Sequence, residues 1–190
     1  VDVPDCSTIK SCTFNKVDVS QVPLFDIEYI FLKLRSKSVG ETAKLKVLCP
    51  DDGETYANVD VNIDEIEVQM TEDHTNVIEL TDKIKMIMKY PQLKDMRGLQ
   101  SLNASQTQQI FSILKYCISE VHEGEKIYNR VDVTEKDIED FIESFSTDQL
   151  RMIMDFFETM PKIRKTVNVR NPKTKVLNEV TLEGMETFLG

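Results

Sequence analysis

Four cysteines and two histidines are the side chains in this chain best suited to hold a metal or attack a substrate. Cys49-Pro50-Asp51-Asp52-Gly53 has the outline of a zinc-ribbon knuckle, in which two thiolates three positions apart grip one ion. Asp52 stands at the second thiolate position, and no Cys-x-x-Cys pair exists elsewhere to complete a tetrahedral site. The expected metal and cofactor content is therefore none, with Cys49 a half-buried thiol in a hairpin turn. Cys6 and Cys12 could pair, but free thiols are expected in a reducing compartment. Cys117, among Ile113, Leu114 and Ile118, reads as a buried thiol. His74 follows Glu72 and Asp73 in a polar stretch and reads as a surface residue. His122 is expected at a helix end, where positive charge meets the dipole. Neither histidine has His-x-x-x-His or Glu-x-x-His spacing. Asp132, Glu135, Asp137, Glu139, Asp140 and Glu143 surround the start of a capped helix, so dipole and solvent account for them without a raised-pKa acid. The six glycines form no nucleotide-binding pattern. No catalytic residue is expected, and the chain reads as a non-enzyme.

The elements that would have to position any site are clearer. Leu24, Ile27, Phe31 and Leu34 recur at helical steps behind Pro23, with Arg35 and Lys37 in the last turn and Gly40 as a stop. Residues before about 20 give weak signals and read as an irregular arm. Leu45, Val47 and Cys49 alternate with polar neighbours, then a Pro-Asp-Asp-Gly turn leads to Ala57, Val59, Val61 and Ile63. That is a hairpin with one wet face. Two further short strands are expected at 77–80 and 84–88, with Pro91 ending the β region. Ser105 and Gln108 read as a capping box for a helix whose stripe runs from Ile110 through Ile118 to Val121, stopped by Gly124. Thr134 and Ser146 or Thr147 cap two more helices. A C-terminal hairpin turns at Asn171-Pro172 and loosely echoes the first one.

The 190 residues carry a net charge of −10, with acidic residues spread along the chain. Backbone-binding proteins concentrate cations on one face, so general nucleic-acid binding is not expected. The local cluster Lys162, Arg164, Lys165 and Arg170 reads as a solvated hairpin face. The longest apolar stretches fall far short of a ~20-residue membrane span, so a soluble intracellular product is expected. Eight methionines are present; most read as core filler, but Met152 and Phe156 lie off the Leu150–Ile153–Phe157 stripe. That helix either sits centrally or meets a partner, which makes the two residues candidate interaction positions.

The segment Pro23-Leu24-Phe25-Asp26-Ile27-Glu28-Tyr29-Ile30-Phe31-Leu32-Lys33-Leu34-Arg35-Ser36-Lys37-Ser38-Val39-Gly40-Glu41 resembles the central signature of the T-even phage baseplate hub and hub-assembly family. Leu48-Cys49-Pro50, the strand ending at Ile63-Asp64-Glu65-Ile66-Glu67-Val68, Met86-Ile87-Met88-Lys89-Tyr90-Pro91 and Phe156-Phe157-Glu158-Thr159-Met160-Pro161 follow in the family's order. So does the ending, residues 182–190. The resemblance runs from about Val22 onward. It departs at Asp52, where some relatives place a second cysteine. Members carry a further segment ahead of the helix, so residues 1–22 are expected to be the tail of a missing N-terminal piece.

The resulting expectation is an α+β fold, a helical central cluster with degenerate zinc-ribbon-like β-hairpins before it and at the C-terminus. The expected divisions are 1–22, 23–91 and 92–190. The resemblance implies a phage baseplate hub protein or an assembly chaperone for the hub, made in the host cytoplasm and located in the virion tail if structural. Its partners would be other hub or tail proteins, without nucleic acid or membrane, and self-association stays open. Arg35, Lys37, Ser38, Gly40 and Glu41 are the first place to look for an interaction surface. The competing readings are a metal-free, zinc-ribbon-derived nucleic-acid module and a hydrolase with an unfamiliar site.

Overall fold

The computed structural model describes residues 6–96 and 106–189, which fall into two compact units. One holds the described chain up to Gln69 together with everything from Pro161; the other is the continuous stretch Met70–Met160. Strands on either side of Pro91 hydrogen-bond to one another within the second unit.

The first unit opens with a short helix, α1 (Cys6–Cys12), where an irregular arm was expected. One fully buried side chain, Ile9, carries its packing, too little to leave a periodic signal in the sequence. Helix α2 (Leu24–Val39) follows Pro23, has Asp26 in its first turn and Lys37 in its last, and stops at Gly40. Gly40 has φ 140°, which is open to glycine and strained for other residues. Strands β1 (Thr42–Leu48) and β2 (Tyr56–Asn62) pair antiparallel from Thr42↔Asn62 to Leu48↔Tyr56. Ala43, Leu45 and Val47 are buried while Thr42, Lys44, Lys46 and Leu48 are exposed, the period-two pattern of a half-wet sheet. A 3-10 turn at Ile63–Glu65 leads into β3 (Glu67–Gln69).

The second unit is a four-stranded antiparallel sheet packed with helices. Its elements are β4 (Val77–Thr81), β5 (Ile84–Met88), α3 (Leu93–Met96), α4 (Gln106–Cys117), β6 (Ile118–Glu123), β7 (Lys126–Asn129), α5 (Glu135–Glu143) and α6 (Thr147–Thr159), with strand order β4-β5-β6-β7. The expected Ser105 cap lies outside the described residues. The helix expected through Val121 ends instead at Cys117 and passes directly into β6. Ile118 is buried and pairs with Met88, and Val121 pairs with Met86. No glycine or proline marks the change, and a stretch apolar at 118 and 121 serves either period. Both α5 and α6 begin with complete capping boxes. Thr134 N donates to Asp137 at 2.9 Å, and Ser146 N donates to Gln149 Oε1 at 2.9 Å. Met86, Met88, Leu114, Ile118, Ile153 and Phe156 anchor the core of this unit.

The chain then returns to the first unit with β8 (Lys162–Arg170), β9 (Leu177–Glu183) and α7 (Met185–Leu189). Strand β8 lies between β3 and β9, both antiparallel to it. Leu32, Leu45, Val61, Ile63, Ile163 and Phe188 share one core. Each such side chain removed from water contributes roughly 1.5–3 kcal/mol before ordering costs. The α+β class holds, and among the described residues no helix is long and apolar enough to cross a membrane.

Candidate functional site

The knuckle-like turn is a hydrogen-bond clasp. Asn171 Nδ2 and Asn178 Nδ2 each donate to Asp51 Oδ1 at 2.9 Å, and the Thr174 hydroxyl donates to Asp51 Oδ2. Asn171 is fully buried, and its own Oδ1 accepts from the backbone N–H groups of Lys173 and Thr174. The two hairpin turns that echo each other in sequence thus meet in space. Hydrogen bonds from Asn171 first, then Thr174, hold the Asp51 carboxyl below its ordinary pKa. Asp52 accepts instead within its own turn, from the Thr55 hydroxyl at 2.6 Å and the Thr55 and Glu54 N–H groups. Cys49 is buried beside them. Burial, then Asp51 and Asp52, push its thiol pKa up, whereas a metal-binding thiolate needs the opposite field. Among the described residues no group of three or more His, Cys, Asp and Glu side chains is placed to hold a metal ion.

The residues singled out at the end of α2 form a fixed corner. Lys37 Nζ reaches Asp64 Oδ2 at 2.6 Å and Glu41 Oε1 at 3.2 Å. The buried Ser36 hydroxyl donates to Asp64 Oδ1 at 2.6 Å, and Lys33 Nζ donates to the Asp64 carbonyl at 2.6 Å. Ser38 bonds back to Leu34 O, and Arg35 extends to Leu189 O at a long 3.5 Å. Lys37, Ser38, Gly40 and Glu41 are exposed, and between them Val39 is 76% exposed. Sequence reasoning named this segment but not the role of Asp64, which lies 28 residues beyond Ser36.

On α6 the two candidates part company. Met152 is 44% exposed, whereas Phe156 is 3% exposed and packed between His74 and Phe157. Within its unit Phe156 is a core residue, because the His74 and Tyr90 rings cover the side of the helix that lies off the main stripe. His74 is correspondingly not a plain surface residue. Its Nδ1 lies 2.9 Å from Thr159 Oγ1, and its Nε2 lies 3.0 Å from the Tyr90 hydroxyl. The Thr159 proton already goes to Asp155 O, so Thr159 must accept from Nδ1–H. Nε2 of the neutral ring is then left to accept from Tyr90. Burial lowers the His74 pKa, in keeping with that neutral staple. His122 sits on β6, not at a helix end, with Nε2 2.7 Å from Glu120 Oε2.

The basic cluster is engaged within the fold. Lys162 and Arg164 both pair with Glu183, Lys165 pairs with Glu65, and Arg170 donates to Lys175 O. The second unit has a pocket of about 300 Å³ between β6 and α5, lined by Ile118, Val121, Val133, Ile138 and Phe141. Its rim polar groups are occupied: Glu123 by the Tyr128 hydroxyl, Arg130 by Glu135, Asp137 by the α5 cap. The pocket offers apolar contact rather than acid–base chemistry. Beside it, Ile127 is 57%, Tyr128 41% and Val131 90% exposed.

Residues 7–190 match the model of one protein family, described as T4 bacteriophage base plate protein. No curated protein and no solved structure matches the chain.

Proposed function

The chain belongs to the T4 bacteriophage base plate protein family, and from that premise we propose that it serves the central hub of the baseplate as a structural subunit or an assembly chaperone. The observation that carries this is a family match over nearly the whole chain, residues 7–190. Its work on this reading is protein–protein contact without catalysis. The organisation of the polar side chains supports it. Aspartates 51, 52 and 64, His74 and the Lys162–Arg170 cations all satisfy neighbours inside their own units. Among the exposed apolar side chains are several on helices, strands and turns of the two units: Val39 beside Lys37, Ser38, Gly40 and Glu41, Met152 on α6, and Ile127, Tyr128 and Val131 around β7. Such anchors on ordered elements bind partners at low entropic cost. We assign the protein to the virion tail, with assembly in the host cytoplasm.

Quantitative mass spectrometry of purified virions against infected-cell lysate tests this. A fixed ratio to other baseplate proteins makes the chain a structural subunit. Abundance in lysate and absence from virions makes it a chaperone, and absence from both overturns the proposal. A metal-free nucleic-acid module is the competing reading, and the ion-paired state of Lys162, Arg164 and Lys165 speaks against it. Salt-sensitive DNA binding would bring it back.

A further inference from the structure

Strand β1 lies at the edge of its sheet and, among the described residues, pairs with β2 alone. The phase of that ladder can be read from its two ends. Cys49 N donates to Thr55 O at 2.8 Å and Ile63 N donates to Glu41 O at 2.7 Å, and both pairs continue the register of the strands. Bonded pairs alternate with unbonded ones in an antiparallel ladder. Ala43, Leu45 and Val47 therefore commit their backbone groups to β2, whereas Lys44, Lys46 and Leu48 aim N–H and C=O at the open edge.

A groove of about 580 Å³ runs beside that edge, walled by Lys44, Leu45, Lys46 and Val47 and, across it, by Leu182 of β9 and Glu186 of α7. At a rise of ~3.3 Å per residue, the stretch from Lys44 to Leu48 matches roughly four or five residues of extended chain. Lys44 and Lys46 are exposed and carry no ion pair among the described residues, although the chain has a net charge of −10. On the exposed face Lys44 stands opposite Asp60 and Lys46 opposite Asn58, so these two cations, neither in an ion pair among the described residues, flank a row of unpaired backbone groups.

We infer that the open edge of β1 receives an extended segment of another baseplate protein, in which acidic residues alternate with apolar ones. Side chains directly across an antiparallel pair point to the same face. Residues opposite Lys44 and Lys46 therefore stand beside ammonium groups and are acidic. Residues opposite Leu45 and Val47 turn toward Leu182 and are apolar. Glu186 on the far wall confines the acids to the lysine side. Backbone bonds supply the affinity and the alternation supplies the choice of partner. This inference rests on the reading that the chain works through protein contacts.

The test uses the full chain, isotope-labelled, with a capped peptide alternating Glu and Val and a Lys–Val peptide as control. The Glu–Val peptide is expected to slow hydrogen exchange of the Lys44, Lys46 and Leu48 amides by about tenfold or more. Leu45 and Val47, already bonded to β2, keep their existing protection. The Lys–Val peptide gives no such slowing, and the exposed-site variant K44E/K46E loses it while its other amide signals stay in place. No slowing, equal slowing by both peptides, or slowing retained in K44E/K46E overturns the inference. So does protection of these amides without peptide together with concentration-dependent dimerisation, which would give the edge to a second copy. Virion copy number is scored separately for the wild-type chain. A chain present in baseplates whose β1 edge ignores the peptide loses only the edge inference, whereas absence from virions and lysate alike removes the baseplate reading beneath it.

Discussion

Glu28 is held in an environment that disfavours its charge, and replacing it with glutamine is expected to stabilise the first unit at neutral pH. Burial first, and the Glu186 carboxylate second, raise its pKa from 4.5 to about 7. Among the described residues no hydrogen bond or ion pair compensates it. The difference between 7 and 4.5 is about 2.5 units, which at ~1.36 kcal/mol per unit corresponds to roughly 3 kcal/mol. Partial exposure to solvent reduces this to ~1–2 kcal/mol. A raised carboxylate pKa leaves stability intact below pH 4.5 and removes it as pH climbs through about 7. Glu28→Gln should therefore match wild type near pH 4 and exceed it by ~1–2 kcal/mol at pH 8. Urea denaturation followed through the amide signals of α2 at the two pH values measures the difference, and a carboxyl-carbon titration reads the Glu28 pKa directly. A gain as large at pH 4 as at pH 8 would show that charge is not its source. A loss at pH 8 would show that the carboxylate has a cationic partner, and the reasoning would fail.

Other expectations follow from the same contacts. Asn171→Ala removes the buried hub of the turn clasp and orphans the Lys173 and Thr174 amides, so urea denaturation should show a loss of about 2–3 kcal/mol. A loss under 0.5 kcal/mol would mean that water replaces the clasp. Ser146→Ala removes one half of the α6 capping box and should cost ~1 kcal/mol, with faster amide exchange confined to the first turn of the helix. Phe188→Ala empties a fully buried site in the first unit and should cost about 3–5 kcal/mol in the same assay. A thiol reagent should label exposed Cys12 in the folded protein and leave Cys49 and Cys117 until unfolding, with burial, then Asp95, holding the Cys117 thiol pKa up at about 12. Mass mapping of labelled peptides checks this, and early labelling of Cys117 would contradict the burial assigned to it.

Local grammar made much of the fold readable from sequence. Helix α2 announces itself through a proline start, a helical apolar stripe and a glycine stop, and the Thr134 and Ser146 boxes mark α5 and α6. The first hairpin declares its wet face by strict alternation from Ala43 to Val61. Helix α1 stayed hidden because Ile9 alone cannot define a period. The switch from α4 to β6 stayed hidden because Cys117-Ile118 contains no breaker and the strand's partner, β5, lies some thirty residues earlier. Long-range chemistry was the least legible. Nothing near Asp51 in sequence reveals that Asn171, 120 positions away, will bind it. Nor does any local pattern say that His74 and Tyr90 will enclose Phe156, so that Met152 alone of the α6 pair stays in solvent. The open edge of β1 was a similar case. Its lysines look like an ordinary wet face until the ladder phase shows where their backbone groups point.

The first unit is made from both ends of the chain, and this has a consequence for synthesis on the ribosome. Strand β3 cannot meet β8 until translation has passed through the whole second unit; Gln69 waits for Arg164, 95 residues downstream. At ~5–20 residues per second that interval is roughly 5–20 s. The second unit can emerge and close on its own sheet in that time, while α2 and the β1–β2 hairpin still lack Ile163, Leu182 and Phe188 from their core. A nascent chain stalled before β8 should thus carry one finished unit and one with its apolar face open, the species most in need of a holding factor during infection.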